Sequence, residues 1–292
     1  GDEVIVPDFT MIACANAVTW TGAKPVFVDV EYDTGNIDPN LIEKKITKRT
    51  KAIMVVHYCG YPADMDRILN IASKYNLKVI EDASHAHGCL YKGKPCGTFG
   101  DVSCFSFMSG KSFGIDEGGI LLTNGRGVYE RAIIFGHYER HSQSITIDYL
   151  KRGIGVPWGG YKYRMHQMSS AVGLVRLKTF KEEIEEIDKA MNYFCDLIEK
   201  LPGIKPHRPP KGSGCTKGGW YNPIALYSPE ELGGLSITRF CEALNAEGVR
   251  VFPGVNKALH LHPLFSEIDV YNDGKPTRIR YSPEDIRKKD TG

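Results

Sequence analysis

Eight cysteines are spread along 292 residues without one CxxC pair. Neither they nor the nine histidines recur at metal-ligand spacing, so the sequence gives no ground for a zinc site. No secretory segment opens the chain, and reduced cysteines in a cytoplasm are expected rather than a disulfide scaffold. No apolar run is long enough to span a bilayer. Charge of one sign is also missing: 37 basic residues face 35 acidic ones, a net +2, which gives no reason to expect a nucleic-acid or membrane partner. There is no internal repeat and no heptad tract long enough for a coiled coil. What is left, 42% hydrophobic and 25% charged, is an ordinary globular composition. The length suits one large domain or two ordinary ones.

The first half alternates β-rich and helical patterns. EVIVP (3–7), KPVFVDV (24–30), KAIMVVHY (51–58), LKVIEDA (77–83), DVSCFSF (101–107) and GGILLTN (118–124) read as strands. Between them FTMIACANAVTWTG, NLIEKKIT and MDRILNIASKYN carry apolar residues at helical spacing, and Asn76 is a plausible stop for the last. A helix is expected through GVYERAIIFGH. Strands separated by such helices imply crossovers and a largely parallel sheet, an α/β fold. Residues 166–200 hold the longest helical pattern, with room for one break. After a Pro/Gly-rich stretch, GWYNPIALYS reads as a strand, ITRFCEALNAEG as a helix and VRVFPGV as a further strand. A smaller α+β domain is therefore expected after the first, with residues 1–180 and 181–292 as the division.

In a parallel α/β sheet, functional groups collect where strands run out at their carboxyl ends. Asp82 follows one apolar run, with His85 and His87 close behind. Ser106 ends another, and Lys111 stands in the loop beyond it. An amine whose pKa is depressed can hold an aldehyde as an imine, and a carboxylate under a pyridine nitrogen keeps that nitrogen protonated. A serine hydroxyl with nearby backbone N–H groups can receive a phosphate. On spacing alone the plainer readings stand beside this one: a solvated loop lysine, an Asp that caps a helix, two core histidines.

Taken together and in order, GDEVIVPDFT, GAKPVFVDV, NIDP, HYCGYPADMD, IEDASHAHG, YKGKPCGTFGD, the CFSF…K…DEGG run and YKYRM resemble the DegT/DnrJ/EryC1/StrS aminotransferases. The resemblance implies a pyridoxal-phosphate enzyme of fold type I, the aspartate aminotransferase architecture. It also implies transfer of an amino group from glutamate or glutamine to a keto-cyclitol such as scyllo-inosose or to a nucleotide-linked keto-sugar. Lys111 falls on the lysine that binds the cofactor aldehyde and moves the substrate proton, and Asp82 on the acid beneath the pyridine nitrogen. His85 falls beside the ring, and Ser106 on the phosphate-binding serine. Glu117 stands in DEGG as a turn acid before a glycine pair.

Two positions depart from the family pattern. Lys162 occupies the place of an asparagine that reaches the phosphate of the neighbouring subunit, where it could act as a point charge. Met11 replaces an aromatic that stacks on the ring; a thioether is polarizable but offers less flat contact. Lys162 and GHYERH together point toward the cyclitol branch or 3-amino-5-hydroxybenzoate synthase-like members, and Arg164 toward a helix entry or a dimer contact. The resemblance implies a homodimer with shared sites. It further implies a chain truncated at both ends, lacking the large domain's N-terminal part and some of the small domain, and hence weak turnover. A segment carrying His260 and His262 could cover the site. Retention of lysine disfavours the dehydratase variant, which carries histidine there, and no exposed mobile-loop cysteine supports desulfurase chemistry. A non-catalytic relative remains the alternative from another class.

Overall fold

The computed structural model describes residues 1–137, 142–155, 161–254 and 256–268. Its centre is a six-stranded sheet built from β1 (Glu3–Pro7), β2 (Lys24–Val28), β3 (Thr50–Val56), β4 (Lys78–Asp82), β7 (Val102–Ser106) and β8 (Gly119–Leu122). A small hairpin, β5 (Leu90–Tyr91) and β6 (Lys94–Pro95), interrupts the run between β4 and β7. The strand order is β2-β1-β3-β4-β7-β8, and every pairing is parallel except β7 with β8. A parallel pair needs a crossover, and α1 (Ala13–Trp20), α2 (Pro39–Lys45) and α3 (Met65–Tyr75) lie on the three connections that link the first four strands.

Around β1 and β3 both faces of the sheet are covered, which explains why β3 reads AIMVV without alternation, whereas the edge strand β8 is exposed. Ile53 and Val55 of β3 join Ile5, Val79, Ile42, Met65 and Ile68 in one core. Met54 and Val56 face the other way, toward Val6, Cys14, Ala15 and Val18. The helices stop where their sequences say they should. Asp38 caps α2, accepting from the Asn40 N–H at 2.8 Å, with Pro39 in the first turn and Lys44 and Lys45 in the last. Asn76 closes α3 in the left-handed region at φ 52°, and the Leu77 N–H returns to the Ala72 carbonyl at 2.8 Å.

Downstream come α4 (Arg126–His137), α5 (Asp148–Lys151), α6 (Gln167–Arg176), α7 (Phe180–Ile198), β9 (Ile204–Pro206), β10 (Ala225–Tyr227) and α8 (Ile237–Ala246). The long pattern at 166–200 is thus two helices, α6 and α7. The GWYNPIALYS strand shrinks to β10, which pairs antiparallel with β9. VRVFPGV corrects an expectation: 249–254 is not a strand. Val249 and Phe252 are half exposed or more, so no sheet face is there to reward extension. Of GHYERH, Tyr138 to His141 lie outside the described residues. No helix among the described residues is long and apolar enough to cross a membrane. None of their His, Cys, Asp and Glu side chains form a group of three or more able to hold a metal ion.

Candidate active site

The carboxyl ends of β1, β3, β4 and β7 open on one edge of the sheet. β1 and β3 are also where the strand order reverses, the place at which an open parallel sheet leaves a crevice. Asp82 is the last residue of β4. Its Oδ1 accepts the Ser84 N–H at 3.0 Å, and its Oδ2 accepts the thiol of Cys14 at 3.1 Å, from the start of α1. Burial and the Asp82 charge push the Cys14 thiol far up, so it stays a donor. The carboxylate is thereby held from two strand ends at once.

Lys111 reaches the same place from the loop after β7. The loop is curled by its own backbone: the Met108 N–H donates to Ser106 Oγ at 3.3 Å, and the Lys111 N–H to the Met108 carbonyl at 2.8 Å. Gly114 makes the curl possible, because a Cβ there would sit 2.6 Å from the Ser109 carbonyl oxygen. Arg176 of α6 then pins the far side, donating to the carbonyls of Gly114 at 2.7 Å and Ser112 at 3.1 Å. Burial holds the Lys111 amine below the ordinary lysine range, opposed by Asp82 and Cys59. Burial and then Lys111 push His85 down to about 4, while Asp82 pulls it up. Lys111 Nζ and the His85 ring both lie against the Tyr221 ring, 4.0 and 4.1 Å from its centroid, and the Asp82 charge acts on both.

His85 is neutral in that setting. Its Nδ1 accepts the Cys59 N–H at 3.3 Å, and its ring stacks on Tyr221 with centroids 4.1 Å apart. His87 is buried between Phe105, Phe107 and Phe113, the core position that was the plainer reading for it. Ser106 stands at the end of β7 with its hydroxyl turned to the Lys111 loop. Met11 lies in the β1–α1 loop, 58% exposed, its sulfur accepting the Ala13 N–H. Lys162 is exposed on the surface of the single chain, between Tyr161 and Tyr163, whose rings stack on each other and against Phe135 of α4. Glu117 is also exposed. The glycine pair after it serves close approach, since a Cβ on Gly119 would meet the Phe105 carbonyl oxygen at 3.0 Å. Near the β1 end, His260 pairs with Asp8, Nδ1 to Oδ2 at 2.5 Å, and Leu259 enters the core beneath it. The 256–260 segment thus lies against this edge, where Asn256 also donates to the Tyr58 hydroxyl at 3.0 Å.

Four residues at or beside this site had no sequence signal. Cys14 is one small residue in an apolar helix. Arg176 and Tyr221 are distant in sequence from the loop they hold. Glu81 sits behind Asp82 on the opposite face of β4, fully buried. It accepts the N–H groups of Gly97, Phe99 and Gly100 at 2.6–2.7 Å, and His57 Nε2 lies 3.0 Å away.

The donor set fits pyridoxal phosphate on its chemistry. It offers a carboxylate for a protonated ring nitrogen, a half-buried amine for an aldehyde, and a serine hydroxyl at a strand end for a phosphate oxygen. It also offers a neutral imidazole beside them.

The profile of the DegT/DnrJ/EryC1/StrS aminotransferase family matches residues 1–278. The chain is 43% identical over 195 residues to GDP-perosamine synthase of Escherichia coli O157:H7, covering 65% of this chain and 51% of that protein. It is 41% identical over 205 residues to UDP-2-acetamido-2-deoxy-3-oxo-D-glucuronate aminotransferase of Pseudomonas aeruginosa, covering 70% and 54%. Among solved structures, the aminotransferase from Psychrobacter cryohalolentis superposes with a TM-score of 0.78 at 30% identity, over 91% of this chain and 70% of that one. The chain thus spans about half the length of the two curated relatives.

Proposed function

The chain belongs to the DegT/DnrJ/EryC1/StrS aminotransferase family, a family of pyridoxal-phosphate enzymes with a fold type I architecture. From that premise we propose that its site transfers an amino group from glutamate or glutamine to a nucleotide-linked keto-sugar. The observation that carries the reading is the meeting of Lys111 Nζ and the His85 ring on Tyr221 at the carboxyl edge of the sheet where Asp82 ends β4. Of the ketone classes that the resemblance implies, the keto-sugar is favoured over the cyclitol because the relatives named above are sugar-nucleotide enzymes by name.

Asp82 is the group to hold a protonated pyridine nitrogen, and the Cys14 and Ser84 donors keep its carboxylate aimed. Ser106 and the loop of residues 108–110 would take the phosphate, and His85 would lie beside the ring. Bound there, pyridoxal phosphate supplies the electron sink that lets a carbon lose its proton. Lys111 Nζ would hold the cofactor's aldehyde and, once the donor's amine had displaced it, would be the free amine that takes the donor's α-proton. A lowered pKa suits this task, since the amine must lose and regain a proton near neutral pH. Arg176 keeps the Lys111 loop from drifting, and the 256–260 segment is tied to the β1 end through Asp8. Incubation with pyridoxal phosphate, glutamate or glutamine, and a panel of ketones tests the reading. A nucleotide-linked amino sugar, detected by mass spectrometry, is expected. Product from a cyclitol ketone but from no keto-sugar nucleotide would overturn the substrate class, and a protein that neither colours nor turns over would favour the non-catalytic relative.

The same reading makes the protein a homodimer with shared sites. Its support is the outer face of α6 and the turn after it, where Met168, Val172, Leu174, Val175 and Leu177 are 53–73% exposed. Apolar side chains clustered at that exposure mark an interaction surface. Lys162 would then reach the cofactor phosphate of the second copy. Leu174→Asp is expected to weaken dimerisation on the order of thirtyfold, the effect of losing one central apolar anchor. Sedimentation equilibrium that finds wild type monomeric at micromolar concentration would sink the proposal.

A further inference from the structure

Tyr221 arrives at the site on a strap from the second half of the chain. The strap is laced to the Lys111 side of the sheet. Thr216 exchanges backbone hydrogen bonds with Leu90, the Gly219 N–H donates to the His87 carbonyl at 3.0 Å, and Ser112 Oγ donates to the Gly219 carbonyl at 3.0 Å. Ser112 is the residue after Lys111, so strap and loop are tied together next to the amine. The backbone is bent hard to do this. Gly218, Trp220 and Asn222 all lie at positive φ, 54°, 50° and 47°, and a bulky tryptophan there is a conformational outlier. The Trp220 indole is anchored by its N–H on Asp188 Oδ1 at 2.7 Å. What the strained turn presents is the Tyr221 ring. One face stacks on His85, and Lys111 Nζ sits 4.0 Å from the ring centroid.

We infer that Tyr221 is a positioning residue for Lys111, its π face holding the amine in the site and favouring its ammonium form. This deepens the proposed function and rests on it: the ammonium is the state Lys111 enters once it has taken a proton from a substrate carbon. An aromatic face attracts a cation most where water is excluded. Several groups set the proton affinity of Lys111. Burial disfavours the charged form; Asp82 and Cys59 favour it; Lys111 in turn disfavours charge on His85 and His87, both of which burial keeps neutral. The Arg176 guanidinium, which holds the Lys111 loop through the carbonyls of Ser112 and Gly114, is itself paired with Glu183 at 3.1 Å. Against burial, Tyr221 supplies attraction without charge, and it does so from an element that is not part of the sheet.

The comparison of phenylalanine with leucine isolates the ring, because both keep the site dry. Competitive labelling of lysines with acetic anhydride across pH, read by mass spectrometry, gives a midpoint for Lys111 without any cofactor. Y221L is expected to lower that midpoint by about half a unit to one unit, the size of a partly buried cation–π contact, and Y221F to leave it in place. Lys78, paired with Asp101 on the far side, is the internal control for folding and should not move in either variant. Equal midpoints for Y221L and wild type, or an equal shift in Y221F and Y221L, would overturn the inference. Borohydride trapping of pyridoxal phosphate on the same samples separates the two readings. A Y221L shift without trapping on Lys111 in wild type keeps the contact and removes the proposed function. Trapping without a shift does the reverse.

Discussion

Lys111→Ala is expected to abolish the borohydride-stable attachment of pyridoxal phosphate and to cut amino transfer by about a hundred- to ten-thousand-fold, the range for losing a positioned proton-transfer group. The size follows from what else could substitute. Lys217 is also buried, but its Nζ is tied to His207 Nδ1 and the His207 carbonyl, both at 3.0 Å, and lies over the Trp220 ring. Lys162 is out on the surface. Among the described lysines, Lys111 joins a lowered proton affinity to a nearby carboxylate that would take the other end of a small aromatic aldehyde. Lys111→Arg should fail as completely, because a guanidinium stays protonated and presents a plane where an amine presents a point. Attachment in wild type should rise with pH through a midpoint below that of a free lysine, since only the deprotonated amine attacks. Peptide mapping that finds equal attachment in K111A, on another lysine, would end this assignment.

The second large effect concerns stability. Glu81→Ala should cost about 3–5 kcal/mol, measured as a fall in the denaturant midpoint, because it strands buried partners. The N–H groups of Gly97, Phe99 and Gly100 and the His57 ring nitrogen all point at this carboxylate. The Ala63 N–H donates to His57 Nδ1 at 3.1 Å, so the ring hydrogen on Nε2 is the one given to Glu81. Burial by itself would raise the Glu81 pKa; His57 and the backbone N–H groups of Gly100 and Gly97 bring it below the usual glutamate value. For an acid whose folded pKa is depressed, the stabilisation is complete above the unfolded value near 4.3 and is lost as pH falls through the folded one. Wild type should therefore lose stability below about pH 4 by a component that Glu81→Gln, which cannot ionise, lacks. Identical acid profiles for wild type and E81Q would remove the carboxylate from the account. Since Glu81 precedes Asp82 on β4, the network also fixes the strand end that carries the site.

Much of this architecture was open to a reader of the sequence. The six strands of the central sheet fall within two residues of the runs that read as strands, because runs such as KAIMVV are apolar on both faces and suit a doubly covered parallel sheet; the two-residue strands β5 and β6 are too short to leave such a pattern. Asn76 and Asp38 marked helix ends because their side chains and backbone preferences act locally. The loop residues Lys111 and Ser106 and the strand end Asp82 were nominated by their position relative to those strands. Beyond the long helices the reading weakened. VRVFPGV has the composition of a strand, yet extension there would find no neighbouring backbone to pair with.

The sequence by itself therefore determined the order of the central strands and their crossover helices and which residues stand at the carboxyl edge, since both follow from local periodicity and from short motifs next to strand ends. Only the tertiary structure decided that Cys14 holds Asp82, that Arg176 pins the Lys111 loop, that Glu81 is anchored by a glycine turn, and that Tyr221 lies on Lys111. These contacts join residues from different strand ends, helices and a strained strap. Each depends on how crossovers and the strap fold back, and chain-order patterns carry no information about which distant side chain closes that distance.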